Sequence, residues 1–443
     1  PRVVPMGGGV GIHCALLLSL APLPALSGED TSQHAVFPSP RASGLGSVAF
    51  SASGVQLVGW KTLSDFAGNN VSGNDCWGYS APSGREYAVI GLSNGTGFVE
   101  ITDPGKPVIV AFKSGVSSLW RGVKTYSTYA YTVSEGGDGI QVFDLGAIDS
   151  GTVTHVATVT TGGTTTATHT LAIDPVSGFL YRAGGGSHGI RIYSLANPAL
   201  PAFVGEWNTL YVHECQVVTW DLAGPYLGKE IAFCYAGSSG TIKILDVTSK
   251  GAISEIASVP YTGASYTHQG WLSASKQQLY LDDELDDGAF GGARTRLFDV
   301  TNLAAPSYLG FFSSGAASID HNLYVKGAKI YESNYRSGLR IFDATNPLAP
   351  VQSAYFDTYP ADDAQQFNSL WSNYPFFASG TVIGGDIEKG LWIWREGAAE
   401  LVFDFPAGVP ARFDPQGGPL AFRVEENGPG ALVAGSVRLH YST

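Results

Sequence analysis

Four of the nine histidines occupy one place in a recurring pattern: Thr168-His169-Thr170, Val212-His213-Glu214, Thr267-His268-Gln269 and Asp320-His321-Asn322. Each directly precedes a short stretch that alternates apolar and polar residues, the period of a β-strand. Imidazole nitrogen ligates transition metals, and neighbouring histidines with an open position would hold a metal together with water or substrate. The same imidazoles have a plainer use, bonding backbone carbonyls and ordered water so that each repeat is stitched to the next. Binding of a small ligand is the third use. The counterpart positions elsewhere in the pattern fall near Asp75 or Cys76, Arg121 and Asn368, all polar or polarisable.

Asp282, Asp283, Glu284, Asp286 and Asp287 place five carboxylates within six residues, ahead of Gly288, Gly291 and Gly292. Oxygen ligands at that density suit calcium. The acids do not alternate as in an EF-hand loop, and a solvated acidic loop is the plainer reading. Gly184-Gly-Gly-Ser-His188 is glycine-rich but joins two strands and opens no helix, so it is not a phosphate loop. No nucleophile elbow occurs.

The elements that must position these residues are repeats. A strand ending in Asp, an Asn-Pro-like turn and a further strand recur, most clearly in Gly338-Leu-Arg-Ile-Phe-Asp-Ala-Thr-Asn-Pro347. Thr295–Asn302, Gly189–Pro198, Gly97–Pro104, Gly139–Asp144 and Gly240–Asp246 repeat it, and Gly390–Trp394 is a copy without the turn. Two strands precede each copy and one follows, which makes four-stranded units of roughly 40–50 residues, the period of a propeller blade. The expected fold is therefore all-β, a seven-bladed β-propeller over 55–396. The seventh unit lacks its outer strand, and Val55-Gln-Leu-Val-Gly-Trp60 resembles the outer strands elsewhere. It is expected to complete that blade and close the ring, which removes an exposed sheet edge.

In such a ring the residues ahead of the innermost strands gather at one mouth of the axial channel. Loops between second and third strands open on the same face. They carry Glu135, Asp138, the acids from Asp282 to Asp287, Glu332 and Asp386. The ligand-binding face is accordingly expected at Arg121, Glu135, Glu332, Asn368 and Asp386, around the histidine positions.

Outside the repeats, the apolar stretch Val10–Leu26 with Ala25-Leu-Ser27 reads as an export leader over 1–27, followed by a linker over 28–54. That stretch is too short and too interrupted by proline to span a bilayer, and no other stretch is suited to cross one. Residues 397–443 read as the start of a small C-terminal β module. In an oxidising compartment Cys215 and Cys234, which flank a turn, could face each other and bond. A net charge of −13 without a Lys/Arg cluster would repel a phosphate backbone, so nucleic acid is not an expected partner.

The Leu-Arg-Ile-Phe-Asp-Ala-Thr-Asn-Pro type of repeat resembles the LVIVD repeat of bacterial surface proteins. The span from about 50 to 396, with Asn74-Asp-Cys-Trp77 at its start, resembles the choice-of-anchor B family. That resemblance implies a secreted or cell-surface protein with a variable C-terminal attachment region. It implies no known activity and carries no catalytic residue onto this chain. The function expected is a binding scaffold that takes a protein, glycan or small ligand on its axial face. The alternative is a metalloenzyme with a transition metal on the histidine ring.

Overall fold

The computed structural model describes residues 50–397 and the backbone of two short strands, Val402–Asp404 and Arg423–Glu425, which pair with each other. The leader read at 1–27, nearly all of the linker 28–54 and most of 397–443 lie outside the described residues. Seven antiparallel sheets make up the described ring. Their first strands are Gly73–Ser80, Arg121–Tyr126, Thr170–Asp174, Glu214–Thr219, Thr267–Leu272, Asn322–Lys326 and Leu370–Tyr374, and they define blades 1 to 7. These strands lie side by side in cyclic order, and the seventh returns against the first, so they line a central channel. The chain is a seven-bladed β-propeller.

Burial follows position in the blade. Middle strands such as Glu230–Tyr235 are buried along their whole length, because a neighbouring blade covers each face. Outer strands such as Ser307–Phe312 alternate between exposed and half-buried, as expected where one side meets solvent. The Asp that ends the third strand stops the ladder by folding back on the chain. Asp299 and Asp343 each accept a bond from the backbone N–H two residues on, Thr301 and Thr345, at 2.8 Å. Between third and outer strands every one of the seven blades has a register shift. Such bulges increase local twist, which splays the outer strand from the channel.

Val55–Lys61 pairs antiparallel with Gly390–Glu396, Val55 opposite Glu396 and Lys61 opposite Leu391, and this closes blade 7 with the first long strand of the described chain. Trp60 stacks on Trp392 with centroids 4.6 Å apart, and its indole N–H donates to Lys389 O at 2.6 Å. One detail differs from the sequence reading. Ala52–Ser53 adds a fifth strand to blade 6 beside Val351–Phe356. In blade 7 the second strand is Thr381–Asp386, because Pro375 and the residues up to Gly380 form the turn. Cys215 and Cys234 are in register across adjacent strands of blade 4, yet both are free thiols packed in the blade core. Burial holds both thiols above their ordinary pKa.

Candidate functional site

The four histidines come from blades 3 to 6 and meet at one end of the channel, all 0–4% exposed. Their rings follow one another around it. Centroids are 3.9 Å apart for His169 and His213, 4.4 Å for His213 and His268, and 4.3 Å for His268 and His321. The arc continues to Trp371 at 4.5 Å from His321, and Trp371 lies 6.3 Å from Trp120. The ring positions in blades 2 and 7 are thus taken by Trp120 and Trp371, not by Arg121 and Asn368.

Each histidine has its Nδ1 engaged by the protein. His169 meets Glu135 Oε1 at 3.0 Å, and His213 meets the hydroxyls of Tyr211 and Tyr266, both at 3.0 Å. His268 Nδ1 reaches the backbone carbonyl of His321 at 3.1 Å, and His321 Nδ1 reaches that of Trp371. The last two bonds stitch blade 5 to blade 6 and blade 6 to blade 7. Beside them the Gln269 amide brackets Leu323, donating to its carbonyl at 3.0 Å and accepting from its N–H at 2.9 Å.

The acidic run is not solvated. Asp282, Asp283, Glu284, Asp286 and Asp287 are each 0–2% exposed, and only Leu285 faces water. The fold buries them by wedging the run between blades 5 and 6, with a one-turn helix Asp287–Phe290 that ends at Gly291 and Gly292. Gly292 has φ +142°, and a Cβ there would meet Ala316 O at 2.3 Å, so no other residue fits.

The five acids then divide. Asp283 is structural, accepting from the Tyr261 hydroxyl and the N–H groups of Ser265 and Tyr266. Glu284 points to the histidines: its Oε1 accepts from the Tyr335 hydroxyl at 2.8 Å, and its two oxygens lie 3.7 Å from His268 Nε2 and 3.6 Å from His321 Nε2. Asp286 and Asp287 instead join Asp320 of the next blade, with one ligand atom of each within 4.8 Å of the others. Arg296 pairs with Asp286 and also donates to Thr262 O and Gly263 O. Both oxygens of Asp287, and one each of Asp286 and Asp320, are buried and accept no hydrogen bond among the described residues. Burial first, and neighbouring acids after it, push Asp282, Asp287 and Asp320 above the usual carboxylate range.

The other residues read for the ligand face are placed differently. Arg121, 2% exposed, turns its guanidinium to the carbonyls of Leu92 and Val116. Asn368, 2% exposed, braces the rim between Arg336 and Glu388. Asp386 is fully buried under bonds from Ser369, Trp392 and the N–H groups of Glu388 and Lys389. Glu332 is 1% exposed, takes the Thr295 hydroxyl at 2.6 Å, and is pushed up to about 7 by burial. Only Glu135, half-buried beside His169, keeps access to the rim.

Inside the channel, Asp75, Trp120, Arg121, Gly122, His169, Thr170, Glu214 and Trp371 line a cavity with room for about one water. The Lys124 ammonium bonds Asp75 at 2.9 Å there and sits 4.3 Å above the Trp77 ring.

No protein-family model and no curated protein matches this chain. Among solved structures, a protein from Lactobacillus plantarum is similar, at 16% identity and a TM-score of 0.50 over 66% of this chain and 84% of that one. At that identity the likeness supports the fold alone. Among the described residues no helix is long and apolar enough to cross a membrane.

Proposed function

We propose that this chain is an exported binding scaffold of the LVIVD-repeat, choice-of-anchor B kind, which presents the histidine end of its channel to a protein, glycan or small ligand. One observation carries the reading: four successive blades deliver a histidine to the same channel end, each with Nδ1 already held by the protein. Groups held that way on strand ends form a preorganised polar site on a rigid frame. The cavity described in the channel has room for about one water, so the rim is the place where a larger ligand is proposed to dock. There Val116, packed against Gly136 next to Glu135, and Leu285 and Phe290 of the acidic segment are exposed apolar residues. The acid pocket of Asp286, Asp287 and Asp320 suits a calcium ion within the same scaffold, because its unbonded buried oxygens are hard ligands. A metalloenzyme with one metal on all four histidines lacks comparable support. Among the described residues, His169 and His213 belong to no group of three ligand atoms within 4.8 Å.

The test is a glycan array and a peptide array probed with the labelled chain. Glu135→Ala with Phe290→Ala is expected to weaken binding at least about tenfold, whereas Val351→Ala, on an outer strand, leaves it unchanged. Equal binding by the rim variant, or no specific spot on either array, removes the reading.

A further inference from the structure

We propose that His268, Glu284 and His321 hold one divalent transition-metal ion between blades 5 and 6, of the zinc or cobalt class. This goes beyond the scaffold reading and stands whether or not anything docks on the rim.

The carbonyls of His321 and Trp371 fix the tautomers of two histidines. A carbonyl oxygen only accepts, so the Nδ1 atoms of His268 and His321 that bond them must carry hydrogen. In a neutral imidazole the lone pair then sits on Nε2. Both Nε2 atoms look at Glu284, 3.7 Å from Oε2 and 3.6 Å from Oε1. One ligand atom from each of the three residues lies within 4.8 Å of the others, so two imidazole nitrogens and a carboxylate converge as the donor set of a zinc-class ion. A proton there would draw nitrogen and oxygen to about 2.7–2.9 Å, the length of a charge-assisted hydrogen bond. The observed separations are longer. Two ligands about 2.1 Å from one metal, at an angle of about 110–120°, are about 3.4–3.6 Å apart. The geometry is therefore close to an ion-sized gap.

The supporting bonds fit the same assignment. Metal-bound imidazoles commonly donate their other N–H to a carbonyl, and a ligating carboxylate is commonly held by a hydroxyl. Here two carbonyls and the Tyr335 hydroxyl supply both. Exposure of 0–2% for the three ligands leaves no room for an organic ligand, though an ion fits. Imidazole with a single carboxylate favours a zinc-like ion over calcium, which separates this site from the oxygen-only acid pocket next to it.

The test uses the purified full chain, stripped with a strong chelator, dialysed and titrated with cobalt(II), whose visible absorption reports its coordination. One equivalent is expected to bind with the intense bands of a four- or five-coordinate ion. Zinc should displace it, and excess calcium should not. Glu284→Gln, which keeps shape and volume, is expected to weaken cobalt at least about tenfold, and Tyr335→Phe to weaken it by a similar factor. His155→Ala, on an exposed outer strand, is expected to change nothing. Wild-type protein that leaves the aqueous cobalt spectrum unaltered overturns the proposal, and so does undiminished binding by Glu284→Gln. The wild-type titration decides alone if a variant does not fold, and its failure leaves the array result untouched.

Discussion

At the scale of single residues, burial in this channel sets charge. Glu214 lines the channel near Asp75, Lys124 and His169, and desolvation lifts its carboxyl to about 7, with Lys124 and His169 opposing. In the unfolded chain the same group ionises near its ordinary 4.5, so between those values the folded state holds a proton that the unfolded state has lost. Stability is therefore greatest below that window and falls as pH rises through it, with the loss complete above about 7. Glu214→Gln is expected to flatten this fall. Thermal midpoints at about pH 5 and about pH 8 check it, since the gap should narrow in the variant. An unchanged gap would show that Glu214 does not titrate there. The histidines themselves were legible because a repeat returns them to equivalent places. Trp120 and Trp371 were not, since a bulky aromatic in a strand reads as blade core. Asp320 was hidden differently: it belongs to another blade from the acidic run, and its one clue was standing next to His321.

At the scale of the element, the segment from Asp282 to Gly292 buries five carboxylates, and the Arg296 guanidinium pairs with Asp286 among them. A cation bridging Asp286, Asp287 and Asp320 would fasten that segment to blade 6. Removal of calcium with EGTA is then expected to lower the thermal midpoint and to speed amide exchange in this segment before any other. Calcium should restore both, and Asp287→Asn should abolish the response to either. A chelated protein with an unshifted midpoint excludes the ion. The sequence could not distinguish this wedge from a solvated loop, because burial of acids depends on which blade lies opposite. Strand alternation and Asp-capped turns were readable locally. The bulge in each outer strand was not, since its extra residue has no composition of its own.

At the scale of the whole molecule, one antiparallel strand pair keeps the ring shut. Trp60 fills the seam by stacking on Trp392 and bonding Lys389. Trp60→Ala is expected to cost about 2–3 kcal/mol, below the full range for a buried Trp because this side chain is half-buried. Urea unfolding measures it. Deleting 50–61 is expected to bare the edge of Gly390–Glu396 and cause association, visible by light scattering. A monodisperse deletion variant of unchanged stability would show that closure does not need this strand. Ring closure was readable from sequence because the seventh repeat was one strand short and a spare strand lay upstream.

The same seam has a mechanical side. Gly397 N–H bonds Gly54 O at 2.9 Å, so the two ends of the ring leave it side by side. Tension applied between them would first strip the short Ala52–Ser53 pairing from blade 6, then meet the ladder at Val55 and Glu396 and peel it one bond at a time, the weakest way to load a pair of strands. A tether at one end alone would put no such load on it. A propeller built this way can hang safely from either terminus, but tugging on both would open it like a zip.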